Sequence, residues 1–116
     1  MTGLIKAICY TLLAILCTSC FSVDCDKLAT ILRPKECNIV VEDTPERGRR
    51  FTIKGINPET NQRVTYSDVN TWYVFFNDKI EVGDTVVKRN GELTFYIHKA
   101  DTTLAFPYEC EGKVFE

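Results

Sequence analysis

The sequence predicts an all-β domain, a small antiparallel barrel or sandwich of about seven short strands, preceded by an export signal and a short N-terminal helix. Three observations carry this expectation. Beyond Pro34 the apolar residues recur with a period of two rather than that of a helix. Turn formers punctuate the chain at short intervals, in Asn57-Pro58-Glu59-Thr60-Asn61, in Val82-Gly83-Asp84 and in Asn90-Gly91. Successive hairpins, once their registers are drawn, gather the large apolar side chains on one face. A closed or layered antiparallel sheet is the arrangement that buries such faces.

The elements follow in order. Leu28, Ile31 and Leu32 share a helical face over residues 25–33, and Pro34 stops that helix. Asn38 to Glu42 is a strand with Ile39 and Val41 on one side. Phe51 to Ile56 and Arg63 to Tyr66 flank the Asn57–Asn61 loop; with Gly55 opposite Val64, Phe51 and Ile53 fall on the side of Val64 and Tyr66. Trp72 to Phe76 is apolar on both faces and predicts a central strand. Trp72, Val74 and Phe76 then share one side, Tyr73 and Phe75 the other. Val82-Gly83-Asp84-Thr85-Val86 reads as a strand–turn–strand junction. Asn90-Gly91 predicts a two-residue type I′ turn, which pairs Lys88 with Leu93, Val87 with Thr94 and Val86 with Phe95. A further turn near Ala100-Asp101 sets Ile97 opposite Leu104 and Phe95 opposite Phe106. Val86, Leu93, Phe95 and Ile97 share the core face, while Tyr96 and His98 point outward.

The first twenty residues give an address. One positive residue, Lys6, precedes an apolar run from Ala7 to Cys17, and small Thr18 and Ser19 precede Cys20. Eleven residues, apolar but for Thr11, are too short to span a hydrocarbon core of about 30 Å, so a cleaved signal is favoured over a membrane helix. Cys17-Thr18-Ser19-Cys20 is similar to the lipobox of bacterial lipoproteins, in which the cysteine is acylated and becomes the new N-terminus. Cys17 departs from the leucine usual in that family. Asp24 and Asp26 resemble the acidic stretch that directs lipoproteins of Bacteroidetes to the cell surface. The expected organisation is therefore 1-19 signal peptide, 20-36 anchor segment and short helix, and 37-116 β domain, one domain in all.

Charge and cysteines narrow the partners. Fourteen Lys plus Arg against sixteen Asp plus Glu give −2, and removal of Lys6 with the signal gives −3. Nucleic acid calls for a concentrated positive face, and none is expected here. Arg47, Arg49 and Arg50 are the one dense basic cluster, next to Glu42, Asp43 and Glu46, and read as a solvated loop. Cys20, Cys25, Cys37 and Cys110 outlast the signal. With Cys20 acylated, three thiols allow one bridge and leave one buried free thiol; with Cys20 free, four allow two bridges. Cys37 opens the first strand and Cys110 closes the last, so closure of a barrel would join them. A Cys25–Cys37 bridge is the alternative.

Catalytic chemistry finds little purchase. His98, the lone histidine, is expected on the outer face, away from any nucleophile it could serve. The cysteines and His98 lack the paired spacing of a zinc site, so no metal and no cofactor are expected. Asp68, Asp78, Glu81 and Asp84 cluster around the aromatic segment and could suit a carboxylate-dependent hydrolase. They occupy turn and strand-end positions, where backbone preferences explain them. Trp72, Tyr73 and Phe75 remain as binding candidates, whichever side of their strand is left exposed.

From Phe51 to Glu116 the chain resembles small lipoproteins of Bacteroidetes bacteria. The likeness is carried by Lys54-Gly55-Ile56-Asn57, by Tyr66-Ser67-Asp68 through Trp72, by Val82-Gly83-Asp84-Thr85-Val86-Val87-Lys88, by Ile97-His98-Lys99 and by Phe106-Pro107-Tyr108-Glu109-Cys110. It implies an address and an architecture and no activity. The expectation is a non-enzymatic envelope protein, held to the outer membrane through lipid on Cys20, that binds a protein or glycan. The alternatives are secretion without an anchor, an inhibitor or immunity protein of the envelope, and a small hydrolase.

Overall fold

A computed structural model describes residues 24–45, 50–69 and 71–116. The signal segment, Cys20, Glu46, Arg47 and Arg49 lie outside the described residues. One helix, α1 (Cys25–Leu32), precedes seven strands: β1 (Cys37–Asp43), β2 (Phe51–Ile56), β3 (Arg63–Asp68), β4 (Thr85–Lys88), β5 (Thr94–His98), β6 (Thr103–Cys110) and β7 (Lys113–Phe115). Every pairing is antiparallel, and the sheet runs β3-β2-β1-β4-β5-β6-β7. The predicted fold class stands, as an open, sandwich-like sheet.

The helix begins where Asp24 accepts a hydrogen bond from the Lys27 amide (3.0 Å), satisfying one of the N–H groups that a first turn leaves open. Ala29 and Leu32 are buried with Leu28 packed beside them, whereas Ile31 turns outward instead of joining Leu28 and Leu32. In β1, Cys37, Ile39 and Val41 alternate inward, as period two requires.

Strand β1 serves two halves of the sheet. Cys37 to Val40 pair with β4, and Val40 to Asp43 pair with β2 through a register shift at Glu42. A strand shared in this way makes a corner, and the sheet folds over it. Gly55 makes the fold possible: a Cβ there would stand 1.9 Å from the Val40 carbonyl oxygen and 2.8 Å from Ile39 Cγ2. The result is contact between strands that are not neighbours. Tyr66 of β3 lies 5.7 Å from Phe95 of β5, and Phe51 of β2 lies 6.3 Å from it, both edge to face.

The β2–β3 register is the expected one, with Gly55 opposite Val64 and Ile53 opposite Tyr66. So is β5–β6, with Phe95 opposite Phe106 and Ile97 opposite Leu104. The β4–β5 register is not. Val86 faces Ile97 and Val87 faces Tyr96, two residues away from the expected pairing. Of the turn pair, Gly91 alone takes positive φ, so the turn is not type I′. Its amide is engaged elsewhere: Gly91 N–H donates to the Arg33 carbonyl at 2.8 Å, fixing the connection to the end of α1. A slip of two preserves the alternation, and Val86, Leu93, Phe95 and Ile97 are all buried.

The aromatic segment departs further. Trp72–Phe75 is a 3-10 helix, followed by another at Asn77–Lys79. Helical rotation sends Trp72, Tyr73 and Phe76 inward and leaves Val74 and Phe75 exposed. The inward rings close the open side of the folded sheet. Trp72 stands 4.8 Å from Phe95 and 5.2 Å from Tyr108, and its indole N–H donates to the Phe106 carbonyl at 3.3 Å. The count of seven strands is made up by β7, which the sequence reading did not single out.

The bridge is Cys25–Cys110, with Cα atoms 5.8 Å apart, and not Cys37–Cys110. Two strands, β4 and β5, stand between β1 and β6. Three strand spacings are about 14 Å, beyond the roughly 7 Å that a disulfide spans. The sheet does not close, so β1 never meets β6, and the helix supplies the partner. Cys37 is the buried free thiol that the cysteine count calls for.

Candidate functional site

Where β2 turns away from β1, a groove of about 590 Å³ opens between the start of β1, the β2–β3 hairpin and the end of β4. That volume lies within the range of small-ligand sites, about 300–1,000 Å³. Its origin is local. The ladder that pairs Val40 with Ile56 would next bring Pro58 opposite Asn38. Pro58 has no N–H to give, and Asn57 bends the chain away: its Oδ1 accepts from the amides of Glu59 (2.8 Å) and Thr60 (3.2 Å). The first residues of β1 are therefore paired on their β4 side alone.

Cys37 and Tyr66 form part of the floor. The Cys37 Sγ lies 3.7 Å from the Val86 carbonyl oxygen, and burial pushes the thiol up to about 12, an effect that Lys88 only partly offsets. A thiol so protonated is a poor nucleophile. The Tyr66 hydroxyl lies 3.1 Å from that of Tyr73, and its acidity is suppressed by burial foremost.

Lys88, 1% exposed, is the group that builds the groove's far wall. Its ammonium donates to the carbonyls of Arg33 (3.1 Å), Lys35 (2.6 Å) and Arg89 (3.2 Å). It closes the C-terminal end of α1, where carbonyls lack partners and a cation is favoured. Burial nonetheless lowers its pKa from the ordinary lysine value. Arg89 is held by Glu92 (3.4 Å) and lies over the Tyr96 ring.

The rim is different. Among the described residues, the side chains of Glu36, Asn38, Glu59, Thr65 and Asn90 make no hydrogen bond or ion pair, and all five line the groove. Two carboxylates, two amides and a hydroxyl thus converge on one space with their hydrogen-bonding capacity unspent.

The residues that sequence reasoning put forward lie elsewhere. Trp72 (0% exposed) and Tyr73 (2%) are core residues, a correction forced by the 3-10 geometry, whereas Phe75 (51%) is open to solvent beside Val74. Cys110 is bridged to Cys25. Asp68 pairs with Lys35 at 2.6 Å. Asp84 pairs with Lys99 at 2.6 Å and also accepts from the Glu81 amide at 2.8 Å, while the Glu81 carboxylate lies 3.9 Å from the same ammonium. Hydrogen bonding to Asp84 raises the Lys99 pKa. Asp78 is exposed. The four acids are thus divided between Lys35, which takes Asp68, Lys99, which takes Asp84 and Glu81, and solvent. His98 is exposed, its Nδ1 3.0 Å from the Thr103 hydroxyl. Among the described residues no cluster of three His, Cys, Asp or Glu side chains is arranged to hold a metal ion.

The groove was not visible in the sequence because its rim comes from four separate segments. The one available signal was Pro58 inside a polar loop, a residue that cannot prolong a ladder. Comparison with protein-family models, with curated proteins and with solved structures finds no match to this chain.

Proposed function

We propose that this chain is a lipid-anchored protein of the cell envelope that binds a protein or glycan partner without transforming it. The observation that carries the reading is the groove, whose rim side chains Glu36, Asn38, Glu59, Thr65 and Asn90 make no hydrogen bond or ion pair among the described residues. Polar groups in a concave surface with their bonds unmade favour a ligand that supplies them. The address rests on the signal-like start, on the similarity of Thr18-Ser19-Cys20 to a lipobox and on the resemblance to lipoproteins of Bacteroidetes. Anchoring of this kind needs more than one acyl chain, since each buried methylene adds about 0.8 kcal/mol and a single chain is marginal.

Two measurements test it. Cys20→Ala should move the protein from the membrane to the soluble fraction; unchanged fractionation removes the anchor. A photo-crosslinking residue at Asn90, on the groove rim, should capture a partner in native envelopes, and one at exposed Asp101 should not. Equal capture at both positions removes the groove as the site.

A further inference from the structure

The groove's wall along β1 is an interrupted β-ladder. Val41 N–H donates to the Asp84 carbonyl at 2.8 Å, so Val41, Ile39 and Cys37 turn their backbone groups toward β4. Asn38 and Val40, in the alternate positions, turn theirs the other way. Val40 meets Ile56. Asn38 meets nothing, because the residue due opposite it is Pro58, and among the described residues no backbone hydrogen bond reaches Asn38 from that side. An N–H and a C=O in strand geometry thus face an open slot beside Glu36 and Glu59, two carboxylates without ion pairs among the described residues.

We infer that the groove takes an extended, lysine- or arginine-bearing peptide segment of a partner protein, which resumes the ladder that β2 leaves at Pro58 by pairing with Asn38. The inference rests on the binding-protein reading above and narrows its partner to polypeptide. Backbone pairing supplies the affinity in strand addition, and side-chain contacts supply the selectivity. Here the selecting groups are the two glutamates, which favour a positive side chain, because the cations lining the same groove are engaged, Lys88 by three carbonyls and Arg89 by Glu92. Among the described residues the groove offers no exposed aromatic ring on which a sugar would stack; Tyr66, its aromatic residue, is buried. The slot is short, with one residue's pair of backbone groups at its centre, so the complex is weak and quickly reversible.

The test uses the full, lipid-anchored chain in detergent micelles and a fluorescent pentapeptide of alternating lysine and threonine, capped at both ends. Anisotropy should show saturable binding, and hydrogen exchange should slow at the Asn38 amide when peptide is added. The same peptide N-methylated at every residue should bind about tenfold more weakly, since no residue of it can donate to the Asn38 carbonyl. This comparison leaves the protein unaltered, so folding cannot confuse it. Replacing lysine by glutamate in the peptide should also abolish binding. Equal affinity of the methylated and unmethylated peptides, or no protection at Asn38, overturns the inference. A neutral oligosaccharide that protects the groove where the peptide does not overturns it too, while leaving the binding-protein reading intact. Equal capture at Asn90 and Asp101 in envelopes defeats that reading instead.

Discussion

Replacing Gly55 with alanine should damage this fold more than any other glycine change among the described residues. The added Cβ would lie 1.9 Å from the Val40 carbonyl oxygen, and side chains do not approach closer than 3.0 Å, so the two strands must part by at least about 1 Å. The obstacle is backbone, which cannot rotate aside. Overpacking of this sort costs about 1–3 kcal/mol, and parting β1 from β2 strains the Val40–Ile56 pairing for about 1 kcal/mol more. Against that, alanine stiffens the unfolded chain and returns about 0.5–1 kcal/mol. The net loss is about 1–3.5 kcal/mol, or roughly 4–28 °C in the melting temperature of a domain this size. Thermal unfolding followed by circular dichroism reads it directly. Gly91→Ala is the control: its φ is +86° and nothing lies within 4 Å, so the loss is limited to the left-handed conformation, about 1 kcal/mol. If Gly55→Ala melts within about 4 °C of the unaltered protein, or no lower than Gly91→Ala, then the corner at β1 does not depend on that close approach.

Non-reducing peptide mapping should recover Cys25 joined to Cys110, and Cys110→Ser should cost about 4–5 kcal/mol in the chain-entropy model for a separation of 85 residues; a fragment that joins Cys37 to either residue refutes the assignment. Alkaline stability should bear the mark of Cys37. Its thiol is raised from the ordinary 9.0 to about 12 in the fold, so its contribution is complete below pH 9 and is lost as pH rises toward 12, at about 1.4 kcal/mol per unit. Tyr66 acts in the same sense and Lys88 in the opposite one, so the decisive measurement is the difference between the unaltered chain and Cys37→Ala in urea titrations at several pH values. A constant difference across that range would mean that the thiol is not shielded from solvent.

Local alternation carried much of the fold into the sequence. The inward positions of β1, β2 and β5 were legible because strand geometry admits one period, and a register error of two residues at Asn90-Gly91 leaves every side chain on its proper face. The turn type itself was not legible. It is set by the hydrogen bond from Gly91 to Arg33, fifty-eight residues earlier in the chain, and no local preference encodes that contact. Trp72 to Phe76 misled for a related reason. Aromatic and β-branched residues favour strands in isolation, yet burial prefers whichever local geometry fills the open side of the sheet. A helical signal was present in the spacing of Trp72, Tyr73, Phe76 and Ile80, all buried, with polar Asn77, Asp78 and Lys79 between the last two. The site was less legible than the fold. Its rim depends on where a ladder stops, and that is a property of two strands considered together.

The sulfur bridge also decides how this domain bears load. A pull on the chain upstream of α1 arrives at Cys25 and crosses directly into Cys110, at the far end of the sheet. The intervening residues are bypassed, so tension cannot peel the helix and then β1 away in sequence. Tension applied at the groove takes another route, through the first residues of β1, which are held by β4 on one side. A pull on those residues is resisted by the short ladder between β1 and β4 and by the Lys88 ammonium, which holds the Arg33 and Lys35 carbonyls just before β1. The two ends of α1 are thus fastened to different strands, Cys25 to β6 and the Arg33 carbonyl to β4.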